Sequence, residues 1–588
     1  MTRTRSLSLG QVLAGVSVAA VAVVVVPLGV SATTASWPDS EWVHGAPLGT
    51  QTLDCGTTTG FASTASGRFL SGELLGTDLD TILALEGVRT SVDAAGTPTV
   101  DPADALDQGS TPPTYTYTDP LEISLLGGIA GLDLTGLEVG LPVGSAGAVN
   151  QYAQASGLGT AAGASGLVSD SGGVLVSQYA ADDTLPEPAT ILLSSLLPAV
   201  TGIADPELEV GAVGASSQLD GCAALRSILW NDGPAVEADR EYGIAGLDLA
   251  LESAVLGSII TDTNTAVTSI NAALNGLLGP SGGIATAING QLNVGLGSIT
   301  GVSLGATTGT VTLSGLDITG AVTPLLTAPL NDPYVSIDLS AGTVDVDLAA
   351  LLNGPSGLNG LGPNTELLLN AAVVDNIVNR VGDLLDTRVQ QITNAITTAI
   401  RAATLTVNLS TPLRLVVLGS PVQVANVAVT LNTTLAALFD GTATFGVSLN
   451  VLSGLSPAAE LALSLVEGLL NTAITGLKTS LVSPVATVIA NAVLGTITTL
   501  GSTLAGRVTQ VVDALAAVLA PLPGVLSITV NVQPDQPGAP DPGDYIPQSG
   551  DSTAEYTVTA LRLGLLDALG TVGAVEFGRA SAGPVTAP

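Results

Sequence analysis

The spacing of apolar residues changes twice along this chain. In residues 33–240, and again after 526, short apolar runs alternate with polar residues and are separated by Gly, Ser, Thr, Asp and Pro. Such alternation predicts β-strands joined by turns. In the centre, apolar residues recur at every third or fourth position, which predicts amphipathic helices. We therefore predict an α+β fold, with β-rich, sandwich-like terminal regions and long amphipathic helices packed on β-sheets in the centre.

The longest helical pattern begins at Val374. Polar residues, Arg388 among them, lie on the side opposite the apolar stripe, so the pattern predicts one long amphipathic helix. The apolar stripe consists of Val374, Val378, Val381, Leu385, Val389, Ile392, Ile396, Ile400 and Ala403.

Two further helical pairs are predicted. The longer pair begins at Ser456-Pro457, which suits an N-cap followed by a first-turn proline, and it is interrupted at Ser483-Pro484. Its later member, Val485 to Leu519, would be about 50 Å long at 1.5 Å per residue. The shorter pair covers Asn264–Leu278 and Ile284–Ile299.

Strand-like stretches follow each group of helices, an order that begins near residues 255, 365 and 456. This order suggests a repeated unit of roughly 90 to 110 residues. The predicted organisation is a signal peptide at 1–32, an N-terminal β-rich domain at 33–240, a helix and strand repeat region at 241–525, and C-terminal strands at 526–588 that close the fold. The predicted strands are Gly309–Ile318, Tyr334–Leu348, Thr404–Leu409, Val422–Leu431, Thr442–Leu449, Leu526–Val532, Glu555–Leu563 and Gly570–Ala580.

The N-terminus has the pattern of a secretory signal peptide. Arg3 and Arg5 precede an uncharged apolar run at residues 12–30, and small residues follow at 31–35. We predict cleavage after Ala32, with Ala35 as the other candidate, and an extracellular or cell-surface location. A permanent N-terminal anchor helix is the alternative reading.

The chain has two cysteines, Cys55 and Cys222. In an oxidising compartment two cysteines usually pair, so we predict a disulfide between them. It would close a loop of 168 residues (positions 55 to 222), which chain entropy values at about 5 kcal/mol. A reactive thiol is the alternative, whereas a metal site would need more ligands than one histidine supplies.

The charge of the chain argues against a nucleic-acid partner, and its few aromatic residues argue against stacking of bases or sugars. The chain carries 50 acidic and 14 basic residues, a formal net charge of -36, and its single lysine is Lys478. Nucleic-acid binding requires clustered Lys and Arg, so no nucleic-acid partner is expected. The 16 aromatic residues are also few for a protein that stacks bases or sugars.

One uncharged stretch is long enough to span a membrane. It comprises the 28 residues between Lys478 and Arg507. Serine and threonine occur throughout it and Pro484 interrupts it, so we predict a buried helix of a soluble protein and no integral membrane span in the mature chain. A transmembrane segment is the alternative.

Motifs for catalysis are scarce. The only histidine, His44, is better explained as a structural or surface residue than as a general base. No G-x-S-x-G, H-E-x-x-H or C-x-x-C motif occurs. Asp78-x-Asp80 and Asp345-x-Asp347 place carboxylates on one side of a strand, either as a solvated face or as part of a calcium site. We predict no catalytic, cofactor-binding or metal-binding residues, and no cofactor.

Three segments carry a family resemblance: Trp37 to Asp80, Gly147 to Ser171, and Tyr556 to Val585. They resemble the actinobacterial choice-of-anchor G family. The resemblance implies an exported surface protein with interchangeable C-terminal wall-attachment signals, no established activity and no catalytic residues to transfer. The ending Ser581 to Pro588 departs from this pattern, because it has no Leu-Pro-x-Thr-Gly signal, hydrophobic tail or basic end. Either release from the cell or a missing anchoring segment is expected.

These observations predict a secreted, cell-envelope-associated structural or adhesive protein without catalytic activity, whose partners are envelope or surface components. Two alternatives remain. Apolar helix faces curled inside a sheet could enclose a lipid-sized cavity, giving an extracellular binding protein for an apolar ligand. A secreted hydrolase would need two carboxylates about 5 to 10 Å apart in a cleft.

Overall fold

The computed structural model describes residues 53–588, except 75–76, 79–86, 121–131, 135–136, 141–148, 177–187, 195–196, 198, 231–235, 541–544 and 566–572. The predicted signal peptide, its cleavage site at Ala32, and His44 lie outside the described residues. Leu53–Pro588 forms one compact unit.

Strands and helices alternate along the described chain in groups. The strands are β1 (Ala62–Leu74), β2 (Thr77–Asp78), β3 (Val88–Val92), β4 (Pro98–Asp101), β5 (Leu106–Asp107), β6 (Thr114–Thr118), β7 (Leu132–Leu134), β8 (Leu137–Gly140), β9 (Asn150–Ser156), β10 (Thr160–Gly166), β11 (Ala189–Leu192), β12 (Ala204–Val210), β13 (Val213–Asp220), β14 (Asp239–Ile244), β15 (Leu247–Glu252), β16 (Val302–Leu304), β17 (Thr308–Ser314), β18 (Leu330–Asn331), β19 (Val335–Asp338), β20 (Thr343–Asp347), β21 (Thr365–Leu367), β22 (Thr404–Val417), β23 (Ser420–Thr434), β24 (Gly446–Val451), β25 (Leu526–Val532), β26 (Tyr556–Leu565) and β27 (Gly573–Thr586). The helices are α1 (Gly221–Trp230), α2 (Ala254–Asn275), α3 (Gly283–Gly295), α4 (Ile318–Thr327), α5 (Leu348–Asn353), α6 (Ala371–Ala402), α7 (Leu435–Phe439), α8 (Pro457–Ser480), α9 (Val482–Leu519) and α10 (Leu522–Val525).

The strands form four sheets, and the α+β prediction is confirmed. Sheet I has the order β21-β25-β26-β27-β1-β3-β4, with β2 paired to β1, and sheet II has the order β14-β13-β10-β9-β6-β5. Sheet III runs β18-β19-β20-β15-β12-β11-β8-β7, and sheet IV runs β16-β22-β23-β24, with β17 also paired to β22. Sheet I joins β1, from the start of the described chain, to β27, at its end.

Sheets I and II pack face to face with unusually small side chains between them. A Cβ on Gly67 of β1 would lie 2.0 Å from the carbonyl oxygen of Ala164. A Cβ on Gly163 of β10 would lie 2.2 Å from the carbonyl oxygen of Ser66. Only glycine fits where two backbones approach so closely, so these two positions set the spacing of the sandwich.

Buried serines join the two sheets. The Ser63 hydroxyl donates to the carbonyl oxygen of Ser156 at 3.0 Å, and the Ser217 hydroxyl donates to that of Tyr556 at 2.7 Å. The Ser165 hydroxyl lies 2.9 Å from the carbonyl oxygens of both Arg68 and Arg579. These buried hydroxyls are therefore satisfied by backbone of the opposite sheet, as burial of polar groups requires.

The helices build the centre of the unit around α9, which packs against α2 and α6. The long β22–β23 hairpin of sheet IV lies against α8. The apolar faces of these elements join one continuous core. A smaller cluster, which includes Phe61 and Cys222, lies near the two ends of the described chain.

The helix predicted at 374–403 forms as α6. The predicted stripe from Val374 to Ile400 is buried, and Asn370 caps the helix by accepting from the backbone N–H of Ala372 at 3.0 Å. The predicted break at Ser483-Pro484 lies two residues earlier, at Leu481, because proline is tolerated in the first turn of α9. Ser456 caps α8 as predicted.

Candidate functional site

The predicted disulfide is present between Cys55 and Cys222, with Cα atoms 5.6 Å apart. It links the segment before β1 to the first turn of α1. Residue 62 pairs with residue 586, so the last strand lies at the same end of the sandwich. Val585 and Cys222 share one buried cluster. The bond therefore fastens the start of the described chain to α1, beside the place where the last strand packs.

The described arginines mostly join elements of the fold. Arg240 of β14 forms a bidentate ion pair with Asp535, at 2.5 and 3.1 Å, and its guanidinium lies 5.6 Å from the centre of the Tyr556 ring. Burial and the Asp535 carboxylate both raise the pKa of the Tyr556 hydroxyl. Further pairs join Arg380 to Asp332, Arg401 to Asp440 and Arg507 to Asp262.

Arg388 was predicted on the polar side of α6, but it is buried. Its guanidinium donates to the carbonyl oxygens of Leu325 and Pro329, at the end of α4 and just beyond it. Leu325 lies in the last turn of α4, where carbonyls lack intrahelical partners, and Pro329 follows the helix, so the cation satisfies carbonyls at a helix C-terminus. Burial lowers the pKa of Arg388. Helical spacing does not show this role, because it depends on where α4 packs.

Carboxylates gather on one face of sheet III. Glu209, Asp248 and Asp347 lie directly opposite one another on three adjacent strands. Like charges in this position repel. Burial, followed by the charges of Asp345 and Glu207, raises the pKa of Glu209. Burial also raises the pKa of Asp345, with a smaller contribution from Asp338.

This carboxylate row does not form a recognisable metal centre. Asp345 and Asp347 share a face of β20, as their spacing predicts, but Asp347 accepts from the backbone N–H of Ala350 at 2.7 Å and caps α5. Among the described residues, no group of three or more His, Cys, Asp or Glu side chains is arranged to hold a metal ion. The Asp78 side chain and Asp80 lie outside the described residues.

Two open grooves lie between helices. The first, of about 480 Å³, separates α2 from α9, and the second, of about 700 Å³, separates α4 from α6. Each contains one carboxylate. Asp262 is paired with Arg507, and Asp317 caps α4 by accepting from the backbone N–H of Gly320 at 2.7 Å. The remaining lining is mostly Ser, Thr, Asn, Gln, Gly and Ala, so neither groove is an enclosed apolar cavity or holds a carboxylate pair.

Helix α8 exposes apolar side chains. Leu461, Leu465 and Leu469 are 63%, 76% and 60% exposed. By length and composition alone, one described segment, Pro457–Val525, is apolar enough to cross a membrane. That segment contains both α8 and α9. The sequence predicted α8 as amphipathic but did not show that leucine also lies on its solvent side.

A family model described as "Domain of unknown function (DUF8394)" matches residues 65–583. The chain belongs to this family. The DUF8394 match extends from β1 to β27, so one family unit includes the sandwich, the central helices and the closing strands. No curated protein and no solved structure matches the chain. The resemblance to the choice-of-anchor G family stays a prediction.

Proposed function

We propose that this DUF8394 protein is exported and acts as a structural or adhesive component of the cell envelope, without catalytic activity. The observation that carries the proposal is the Cys55–Cys222 disulfide. Structural disulfides form and persist in oxidising compartments, so the bond supports export. Its position, where the two ends of the described chain meet, suits a protein that must stay folded outside the cell.

The surface charge supports a display role. Described arginines are largely engaged within the fold, while carboxylates such as those of sheet III lie on its faces. With a formal net charge of -36, the protein repels other acidic surfaces and stays soluble. Neutral or cationic envelope components are the partners that this chemistry favours.

The two alternatives have weaker support. An apolar-ligand carrier would use an enclosed apolar cavity, whereas the two described grooves are open and lined largely by hydroxyl, amide and small side chains. A carboxylate-pair hydrolase would use two acids across a cleft, whereas each groove has one acid that is already hydrogen bonded.

Cell fractionation tests the proposal. We expect the protein in the cell-wall fraction, with an intact mass that begins at residue 33 or 36 and a disulfide between Cys55 and Cys222. A matched control is Val24→Asp, which places a charge in the apolar run and should retain the full-length chain inside the cell. Recovery of wild-type protein in the cytoplasm, with residues 1–32 attached and both thiols free, would refute export. Recovery only in the culture supernatant would favour the alternatives.

A further inference from the structure

Strand β24 forms one edge of sheet IV, and its outer backbone groups are unpaired. Leu452, which continues the strand, donates its N–H to the carbonyl oxygen of Val424 in β23 at 3.0 Å. Because bonded and non-bonded pairs alternate in an antiparallel ladder, the even-numbered residues of β24 bond to β23 and the odd-numbered residues point away from it. The N–H and C=O groups of Val447, Leu449 and Val451 therefore face outward. Within the part of the chain that the structure describes, no hydrogen bond reaches them.

The other described sheet edges are short, charged or covered. Strands β5, β7, β16, β18 and β21 have two or three residues each, and β4 and β14 contain charged residues. In β17, on the opposite edge of sheet IV, the carbonyl oxygen of Val311 accepts from the N–H of Gly279 at 3.0 Å. Proteins use short length, charge and cover to prevent edge strands from pairing with other chains. β24 has six uncharged residues, so it lacks these protections.

The side chains at this edge are accessible and neutral. Gly446, Ser448 and Asn450 lie on the solvent face of sheet IV and are exposed. Val451 lies on the other face, which packs against α8, yet it is 55% exposed because no further strand covers it. Residues 441–459 contain no charged residue. Two copies can therefore approach here without bringing acidic groups together, in spite of the net charge of -36.

We propose that β24 pairs with β24 of a second copy of this chain in antiparallel orientation, so that sheet IV continues across a twofold axis at Leu449. In this register Leu449 lies opposite Leu449 of the second copy, and Val447 lies opposite Val451 of the second copy. Each such pair of outward-facing residues exchanges two N–H···O bonds, about six in all. A twofold interface requires this kind of self-complementarity.

Two conditions select the register. The new backbone bonds must join outward-facing residues, which are odd-numbered, and residues that lie opposite one another must point to the same face of the sheet. An axis at Leu449 meets both conditions and uses all three outward-facing residues, whereas an axis at Ser448 would leave Val451 unpaired. The same register places Ser448 opposite Asn450 of the second copy, where hydroxyl and amide can hydrogen bond. It also covers the exposed Val451 with Val447 of the second copy.

The side chains of β24 favour a second copy over a strand of another protein. Backbone groups alone accept any extended peptide. A second β24 supplies in addition an apolar residue opposite each apolar residue and a polar residue opposite each polar residue, with no charge on either side. Because the bond from Gly279 covers β17 at Val311, β24 is not expected to pair with β17 of the next copy. The assembly therefore closes as a dimer and does not extend as an open chain.

Sedimentation of the exported protein over a wide concentration range gives the first test. Wild type should form a reversible dimer. Val451→Lys should raise its dissociation constant about thirtyfold, because an ammonium group would lie beside Val447 of the second copy without an acidic partner. Val416→Lys is the matched control, since Val416 lies in β22 of the same sheet and is 53% exposed, and it should leave the dimer unchanged. A wild-type monomer at all concentrations overturns the proposal, as does equal weakening by both variants.

Hydrogen exchange, measured above and below the dissociation constant, tests the strand itself. The backbone amides of Val447, Leu449 and Val451 should exchange at least about tenfold more slowly in the dimer, because each then bonds to the second copy. The amides of Ser448 and Asn450, which bond to β23 in the monomer, are the internal control and should change less. A dimer that does not protect the three odd-numbered amides uses another surface and overturns the proposal.

Cysteines placed on β24 test the register covalently, since both native cysteines are already paired with each other. An equal mixture of the Ser448→Cys and Asn450→Cys proteins should give a disulfide-linked dimer on oxidation, because these positions lie directly opposite one another. Either protein alone should cross-link more slowly, since identical positions lie on a diagonal about 7 to 8 Å apart, beyond the usual span of a disulfide. Faster cross-linking of either protein alone than of the mixture overturns the register.

Discussion

The closest approach between sheets I and II depends on a single missing methyl group. At Gly67, an added Cβ would lie 2.0 Å from the Ala164 carbonyl oxygen and 2.8 Å from that of Tyr152. Both obstacles are backbone atoms of sheet II, which cannot turn aside as a flexible side chain could. The stability of the sandwich therefore depends on glycine at this position.

We predict that Gly67→Ala lowers the free energy of unfolding by about 3 kcal/mol, because the overpacked sheets must separate. Urea denaturation monitored by circular dichroism measures this change in the free energy of unfolding. Gly257→Ala in α2 is the matched control, since its Cβ would meet nothing within 4 Å, and it should stabilise by about 1 kcal/mol through helix propensity. Equal stability of Gly67→Ala and wild type would contradict the close packing.

Two carboxylates whose pKa values folding shifts in opposite directions should make stability depend on pH in opposite ways. The pKa of Glu209 is raised by burial and by the charges of Asp345 and Glu207. The folded state therefore holds a proton more tightly than the unfolded state, and stability falls as pH rises through the window above the ordinary glutamate pKa. We predict that Glu209→Gln melts higher than wild type at neutral pH, and that the difference disappears as pH falls below that window.

Asp332 provides the opposite case. Although burial opposes it, hydrogen bonds from the backbone N–H of Tyr334 and from the Arg380 guanidinium hold the pKa of Asp332 below its usual value. The stability that the Asp332 carboxylate contributes to the folded state is therefore present above the unfolded-state pKa. It is lost as pH falls through the lowered folded-state pKa. Asp332→Asn should lower stability by about 1 kcal/mol at neutral pH and have little effect in acid. Thermal melts of Glu209→Gln and Asp332→Asn across pH measure both effects. A change of melting temperature in the same direction for both variants at neutral pH would contradict these predictions.

At the scale of elements, the sequence predicted what local periodicity controls. The buried stripe of α6 and the strand β25, Leu526–Val532, form where apolar spacing placed them. The helix α4, Ile318–Thr327, was missed because Pro324 and a strand-like run obscure it. Local patterns also did not reveal the ion pair between Arg240 and Asp535 or the exposed leucines of α8, since both depend on which neighbours each face acquires.

The disulfide is the element-scale contact with the largest expected effect. It joins the segment before β1 to α1 across a sequence separation of 167 residues. We predict that Cys55→Ala with Cys222→Ala lowers the free energy of unfolding by about 2 to 5 kcal/mol, because the unfolded chain gains freedom. Denaturation in urea, with and without reductant, measures this. Reductant should destabilise wild type by a similar amount and leave the double variant unchanged; destabilisation of the variant by reductant would argue against this origin.

The whole unit is closed by pairings that no local pattern specifies. In sheet I, Ala62 pairs with Thr586, and the same sheet also includes Thr365 of β21. Alternation predicts that these segments are strands, but it does not give their neighbours, because the same apolar face suits many registers. Forming these long-range strand pairs restricts the chain, and burial of the core together with the disulfide must offset this loss of loop entropy.

The net charge of -36 should make the stability of the whole unit depend on salt. Carboxylates repel one another across the surface, and added ions shorten the range of that repulsion from about 10 Å at 0.1 M to about 3 Å at 1 M. We predict that the melting temperature rises steadily with sodium chloride, although exposed pairs such as Arg401 with Asp440 weaken. Calcium and magnesium chloride at equal ionic strength should act alike, since the described residues contain no group of three acidic or imidazole ligands arranged for a metal. A saturable increase specific to calcium would instead reveal a binding site, and the carboxylate row of sheet III would be the first place to substitute.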